Sequence, residues 1–467
     1  MSAGAPTLRG LPAPGPSRTV PLPRPHERYL DNGLRVIAVS SLEIPANVRA
    51  PLVAAALSVR HGSAADPPER AGLAAMTAAL LGVGTRRRSA LEFGAASDAL
   101  GARLDRSALF DVSTSSASAT TNVFEDALEL MAETIREPAF AADEFERVRA
   151  RSLSDLKLLY SSPSALARLV FSRAIGGDSP YAHAISGTER SLSAMTRDEV
   201  VAFHAAAYRP EHAILLIGGE IDVDAAFLLA ERVFGDWKAE ARTPVSMMQA
   251  SEPPSPRSRV VAIDRPEAGR TALAIGRLAI PRASEAYYAG IMTCGALSGY
   301  SGRLNQEVRV KRGLSYGAGA QLIARGRGGS FVASTLVDHD RAAYGVEVVA
   351  ETLRSLVERP PDGPELTARK AALLGGWTRG LETTDGLINA LGDYALHNIP
   401  LDELERYTAR IEAIEPAQIA AFAGTYVVPD TCTVLVGDAS RFAGDLSRLA
   451  PETRIIPFAD LDLDHAI

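Results

Sequence analysis

The sequence contains itself twice, and that limits the folds open to it. Ala194-Met-Thr-Arg-Asp-Glu-Val-Val-Ala-Phe203 parallels Ala413-Ile-Glu-Pro-Ala-Gln-Ile-Ala-Ala-Phe422. Each segment passes through a tyrosine, Tyr208 or Tyr426, into a short apolar run ending in glycine: Leu215-Leu-Ile-Gly218 and Val434-Leu-Val-Gly437. A repeated series of elements implies one structural unit built twice. The runs 34–39, 52–59 and 213–218 read as strands in the first half, and 260–264, 271–280, 332–337 and 432–436 in the second. Amphipathic and capped helical stretches outnumber them in both halves, and consecutive strands read as hairpins. The class is therefore α+β: two homologous domains, each a mixed sheet with helices mostly on one face. The stretch 238–259 is polar and carries Pro244, Pro253, Pro254 and Pro256, which marks a linker. The expected divisions are a Pro-rich arm over 1–27, a first α/β domain over 28–237, the linker over 238–259 and a second α/β domain over 260–467.

Composition narrows the function classes. The chain has 467 residues, 46% hydrophobic and 22% charged, a soluble globular balance with room for more than one core. A net charge of -7 gives no reason to expect a nucleic-acid partner. Cys294 and Cys432 sit far apart in apolar runs and read as small buried residues without metal or redox spacing. No apolar run approaches the ~20 residues of a membrane span. The first 26 residues have no acidic side chain and no apolar signal core. The expected compartment is the cytoplasm, or the periplasm with a signal absent or already removed.

The chemistry concentrates between Arg309 and Tyr316. Ser301 to Val310 reads as a helix with Leu304 and Val308 on one face. Arg309, Lys311 and Arg312 crowd its last turn, where cations oppose the negative end of the helix dipole. Gly313 suits the left-handed residue that ends a helix, and Tyr316 to Ile323 reads as a strand. A guanidinium and a phenol at such a corner can aim donors at one carbonyl oxygen. Two other readings stay open. The corner can be a basic helix end with a core tyrosine. Alternatively, Gly313-Leu-Ser315-Tyr-Gly317 matches the G-x-S-x-G nucleophile elbow, with Ser315 as nucleophile, although the elbow needs strand before and helix after the serine.

The loop Gly62 to Gly72 leading to Gly84-Thr85, Ser179-Pro-Tyr181, Ser186-Gly-Thr-Glu189, Tyr208-Arg-Pro210, Arg303-Leu304 and Lys311-Arg-Gly-Leu-Ser-Tyr316 follow one another along the chain. Read in order, these marks resemble the pitrilysin and insulinase family of zinc peptidases, in its short-subunit, processing-peptidase-like branch. The resemblance implies that each chain is half of a clam-shell chamber. It also implies a zinc site of inverted H-x-x-E-H type on the first core helix. Those positions here are Ala75, Ala78 and Ala79, and the family's later glutamate ligand aligns best with Asp155. No two of the eight histidines stand three or four residues apart, so no metal is expected in this chain. Arg309 and Tyr316 match the family's arginine–tyrosine pair, which holds the substrate backbone and polarises the scissile carbonyl.

The resemblance thus implies a zinc-free subunit of a heteromeric metalloendopeptidase, inactive alone. Its partner would be a homologous zinc-binding subunit with an intact H-x-x-E-H, its substrate a peptide or unfolded polypeptide. A structural core-type subunit and a homodimeric peptide-binding protein are the alternatives. Three further features read more plainly. Arg325-Gly-Arg-Gly-Gly-Ser330 is a hairpin turn, Arg86-Arg-Arg88 a solvated loop, and Asp460-Leu-Asp-Leu-Asp464 an exposed strand edge.

Overall fold

The computed structural model describes residues 22–44, 50–238, 259–446, 448–449 and 452–467. Two six-stranded mixed sheets carry the two domains. The first holds β1 (Pro25–Tyr29), β2 (Arg35–Ser40), β3 (Leu52–Val59), β4 (Arg103–Ala108), β5 (Ser113–Thr120) and β6 (Ala213–Gly219) in the order β1-β2-β6-β3-β5-β4. The second holds β7 (Arg259–Asp264), β8 (Thr271–Ala279), β9 (Ala318–Arg325), β10 (Gly328–Val337), β11 (Cys432–Gly437) and β12 (Glu452–Pro457) in the order β12-β7-β11-β8-β10-β9. From β2 and β7 onward the strand orders correspond one to one. The repeated segments lie on the equivalent helices Arg197–Ala207 and Pro416–Tyr426, which lead into the central strands β6 and β11.

The outer edges break the symmetry. β1 runs antiparallel to β2, whereas β12 runs parallel to β7. Both strands are short, polar and mostly exposed, so neither has the apolar alternation that announces a strand. β1 occupies the end of the expected 1–27 arm; residues 1–21 of that arm, and 239–258 of the expected linker, lie outside the described residues. The expected edge strand at Asp460–Asp464 is a correction. A 3₁₀ turn at Phe458–Asp460 leads into irregular chain that docks inward. There Leu463 is buried, its carbonyl accepts from Arg173 Nε at 2.8 Å, and Thr188 Oγ1 donates to Asp464 at 2.5 Å.

Each sheet buries one face under the helices of its own domain. Along β2, Val36 and Ala38 join that core, while Ile37 and Val39 point the other way. Side chains alternate along a strand, so a run apolar at every position needs cover on both sides. The second cover comes from the other domain. Helix Thr384–Leu396 lays Leu387, Ile388 and Leu391 on Ile37, Val39, Ala54, Ala56, Ile214 and Leu216 of the first sheet. Helix Pro163–Gly176 lays Leu166, Val170 and Ala174 on Val261, Ile263, Ala272 and Val434 of the second. Leu166, Val170 and Ala174 repeat the spacing of Leu387, Leu391 and Ala395, so the two domains exchange equivalent helices. Each starts at a hydroxyl cap: Ser162 Oγ accepts from Ala165 N at 3.3 Å, and Thr383 Oγ1 from Gly386 N at 3.0 Å.

A polar chain crosses the same junction. Arg282 Nε donates to Asp393 Oδ2 at 2.8 Å, and Asp393 Oδ1 lies 3.2 Å from His397 Nδ1. His397 Nε2 lies 3.9 Å from Asp111 Oδ2, an ionic contact too long for a hydrogen bond. Asp111 also accepts from Tyr181 Oη at 2.5 Å and from Gly326 N at 3.0 Å. Asp111 and Tyr181 belong to the first domain, the other four to the second. Burial alone would lower the His397 pKa, but the Asp111 and Asp393 carboxylates outweigh it and push the value up to about 9.

Two outcomes follow from this junction. Leu391 is fully buried, and Leu391→Ala is expected to cost about 2–5 kcal/mol. Urea unfolding followed by circular dichroism should show the lower midpoint; an unchanged midpoint would mean the first sheet does not need the exchanged helix. For His397 the folded pKa lies above the unfolded one, so its stabilisation is fully present below about pH 6.5 and lost as pH rises through about 9. Parent stability should therefore fall between those pH values, and His397→Gln should flatten that slope.

Candidate functional site

The corner is built on a buried stripe. After helix Tyr287–Leu297 the chain turns through Gly299, at φ +81°, to Gly302. A Cβ on Gly302 would come within 2.2 Å of the Ser298 carbonyl, so only glycine fits there. Helix Arg303–Asn305 continues as a π-helical turn, Gln306–Val310, in which Lys311 N donates to Gln306 O at 2.9 Å. Such widened turns recur at functional positions. Leu304 and Val308 are fully buried on the inner face, which leaves Arg309 at the rim. Gly313 ends the helix at φ +59°, as the sequence led one to expect.

Beyond it the turn is fastened at three points. Leu314 is buried, and its N–H donates to Val308 O at 2.9 Å. Ser315 Oγ donates to Gly317 O at 2.9 Å, and Thr335 Oγ1 donates to the same carbonyl at 2.9 Å. Tyr316 stands between these anchors with its side chain in solvent, 86% exposed. The core-tyrosine reading is thereby overturned. So is the hydrolase elbow: the order is helix, then strand, and Ser315 is buried with its hydroxyl committed to its own loop.

Charge pairing separates Arg309 from its neighbours. Arg303 makes a bidentate pair with Glu365 at 2.9 and 2.7 Å. Glu307 takes both Lys311, at 2.6 Å, and Arg312, at 2.5 Å. Among the described residues Arg309 has no hydrogen bond or ion pair through its side chain. Its guanidinium carbon lies 5.1 Å from the Tyr316 ring centre and 5.6 Å from that of Tyr300. Two π faces can thus orient a planar cation while its N–H donors stay uncommitted. Tyr300 is 74% exposed, and Asn305 Nδ2 and Gln306 Nε2 hold its carbonyl at 3.0 Å each. Sequence reasoning missed Tyr300; the signal was an aromatic inside the Gly299–Gly302 turn. Together Arg309 and Tyr316 can donate to carbonyl oxygens of an extended chain.

The degenerate motif lies in the other domain. Helix Leu73–Leu80 follows β3 as helix Tyr287–Leu297 follows β8. Its N-terminus is held from the preceding loop: Asp66 Oδ2 accepts from Gly72 N at 2.9 Å, and Oδ1 accepts from Ala74 N at 2.8 Å. Ser63 Oγ donates to Asp66 at 2.9 Å and lies 3.0 Å from His183 Nε2. This Ser63–His183–Asp66 set is buried, Ser63 completely, so it braces the helix and offers no accessible nucleophile. Ala75, Ala78 and Ala79 share one side of the helix and carry no donor atom. Asp155 points to solvent beside Arg151 at 3.8 Å. No group of three His, Cys, Asp or Glu able to hold a metal occurs among the described residues. The residues present therefore do not fit a zinc ion at the motif. Arg86–Arg88 is not merely solvated, since Arg87 pairs with Glu137 and Arg88 with Glu133.

Comparison with known proteins agrees with this architecture. Residues 43–189 match the insulinase (peptidase family M16) model, and residues 194–373 match the peptidase M16 inactive domain. An uncharacterized zinc protease of Mycobacterium tuberculosis H37Rv is 27% identical over 414 residues, covering 88% of this chain and 93% of that one. Another from Streptomyces coelicolor is 23% identical and covers 78% and 80%. The peptidase M16 inactive domain structure from Pseudomonas fluorescens aligns with a TM-score of 0.81 at 24% identity, over 89% of this chain and 98% of that one. A Helicobacter pylori protease aligns with a TM-score of 0.81 at 21% identity, over 89% and 100%. These two likenesses speak to the fold alone. No helix among the described residues is long and apolar enough to cross a membrane. With both domain models matched in order along one chain, this protein belongs to peptidase family M16, the insulinase family.

Proposed function

We propose that this chain is the zinc-free subunit of a heteromeric M16 endopeptidase and completes the active site of a homologous, zinc-bearing subunit. The observation that carries the reading is Arg309. It is the one basic side chain of its helix end without a carboxylate partner among the described residues, and it lies between two exposed tyrosines. Its basic neighbours Arg303 and Arg312 are each paired with a carboxylate. In the proposed complex Arg309 holds the backbone of an extended polypeptide. Tyr316 Oη donates to the scissile carbonyl oxygen as it gains charge. The metal and the attacking water come from the partner's H-x-x-E-H, since Ala75, Ala78 and Ala79 supply neither.

The test is reconstitution with a zinc-bearing homologue and a quenched fluorescent peptide. The isolated chain is expected to show no chelator-sensitive cleavage. Tyr316→Phe should leave assembly and stability unchanged, because the ring is exposed, and lower turnover of the complex by ~10²–10³-fold, the size seen for one lost oxyanion donor. Arg309→Ala should also weaken substrate binding, because a charged multi-donor group is lost. A structural core-type subunit predicts parent-like turnover for both variants in an intact complex. That result would overturn the proposed mechanism.

A further inference from the structure

A second cavity lies away from the Arg309 corner, where the two domains meet. It has a volume of about 190 Å³, room for roughly six waters at ~30 Å³ each. The first domain contributes Ile175 and Tyr181, and the second contributes Leu278, Arg325 and Gly329. The hairpin that closes it is the Arg325–Ser330 segment. β9 and β10 pair Arg325 with Gly328 across a tight turn. A Cβ on Gly329 would come within 2.3 Å of the Ile323 carbonyl and 2.5 Å of the Ile280 carbonyl, so the close packing demands glycine there.

The walls are largely apolar, and the polar groups are mostly spent. Tyr181 Oη donates to Asp111 and accepts from Arg327 N at 3.2 Å. Arg325 differs. Its guanidinium carbon lies 4.0 Å from the Phe110 ring centre and 5.2 Å from that of Tyr181. Among the described residues its side chain makes no hydrogen bond or ion pair. Burial lowers its pKa, with the Asp111 charge opposing only in part. A guanidinium carries five N–H donors, and Arg325, half-buried against two rings, finds no acceptor for them among the described residues. Arg325 and Arg327 line the cavity and no carboxylate does. Apolar walls converging on one unmet cationic group describe a small-ligand site.

We propose that this cavity binds a carboxylate attached to a short branched apolar group, with the carboxylate on Arg325 and the alkyl group against Ile175 and Leu278. The same chemistry occurs in a small branched-chain acid and in the C-terminal residue of a peptide. Because both domains line the cavity, an occupant bridges them and stabilises the folded chain by mass action. This site does not depend on the reading given to Arg309 and Tyr316.

Calorimetric titration of the full chain with 3-methylbutanoate, its amide, N-acetyl-leucine and N-acetyl-leucinamide tests the assignment. The acids should bind at least about tenfold more tightly than the amides, because a charge-assisted bidentate contact is lost in the amide. Tighter binding of 3-methylbutanoate identifies a free acid as the occupant, and tighter binding of N-acetyl-leucine identifies a chain terminus. Arg325→Gln should abolish the acid preference. Since that variant also removes the stacking on Phe110, Ile175→Phe serves as the second. It keeps the guanidinium, crowds the cavity, and should weaken the acids at least about tenfold. Thermal unfolding checks that both variants fold. Equal binding of acid and amide overturns the proposal. So does failure of either acid to bind at millimolar concentration, or parent-like binding by either folded variant.

Discussion

The central strands of both sheets are apolar on both faces, and the helices of each domain cover only one. The exchanged helices Pro163–Gly176 and Thr384–Leu396 close the remaining faces, each supplied by the opposite domain. Burying one such leucine or isoleucine side chain stabilises by ~1.5–3 kcal/mol. Leu166, Val170, Leu387, Ile388 and Leu391 together make the junction part of both cores. The polar chain from Arg282 to Tyr181 and the cavity beside Arg325 are consequences of that exchange, because it brings β9–β10 against Phe110 and Tyr181.

The Arg309 corner is held from within its own domain. Tyr316 is displayed by a turn whose anchors are a buried leucine, a loop serine and a hydroxyl from β10. Arg309 follows Val308, which is locked in the core. The backbone that carries the exposed groups is therefore held from beneath by buried ones. In the proposed complex, donors carried on such a braced turn would cost little reorganisation when charge develops. The first domain keeps its corresponding helix equally well braced, through Asp66 and Ser63, although the positions that the family resemblance assigns to metal ligands are alanines.

Much of this was legible in the residues. The repeat ending at Phe203 and Phe422, the Gly313 terminator and the central strands β6 and β11 all lie where local pattern placed them, because each depends on short-range stereochemistry. The edge strands β1 and β12 were not legible, since polar exposed strands have no alternation to detect. The start of helix Thr384–Leu396 was hidden by Gly386, whose Cβ would come within 1.7 Å of the Gly380 carbonyl. The tail at Asp460–Asp464 read as a strand edge because its Leu/Asp alternation has the strand period. It is held instead by Arg173 and Thr188, almost three hundred residues away in sequence.

At the site, the sequence by itself determined which chemistry was available: an arginine and a tyrosine seven residues apart, and three alanines at the positions that the family resemblance assigns to metal ligands. Tertiary structure alone decided that Arg309 has no carboxylate partner among the described residues, while its basic neighbours do. It also decided that Tyr300 stands beside it and that Tyr316 faces solvent. Pairing and exposure are set by what packs around a side chain, and those neighbours come from Glu365, Thr335 and the Gly299–Gly302 turn. Local periodicity carries no information about such contacts, because they form only when separate elements are brought together by the burial of their apolar faces.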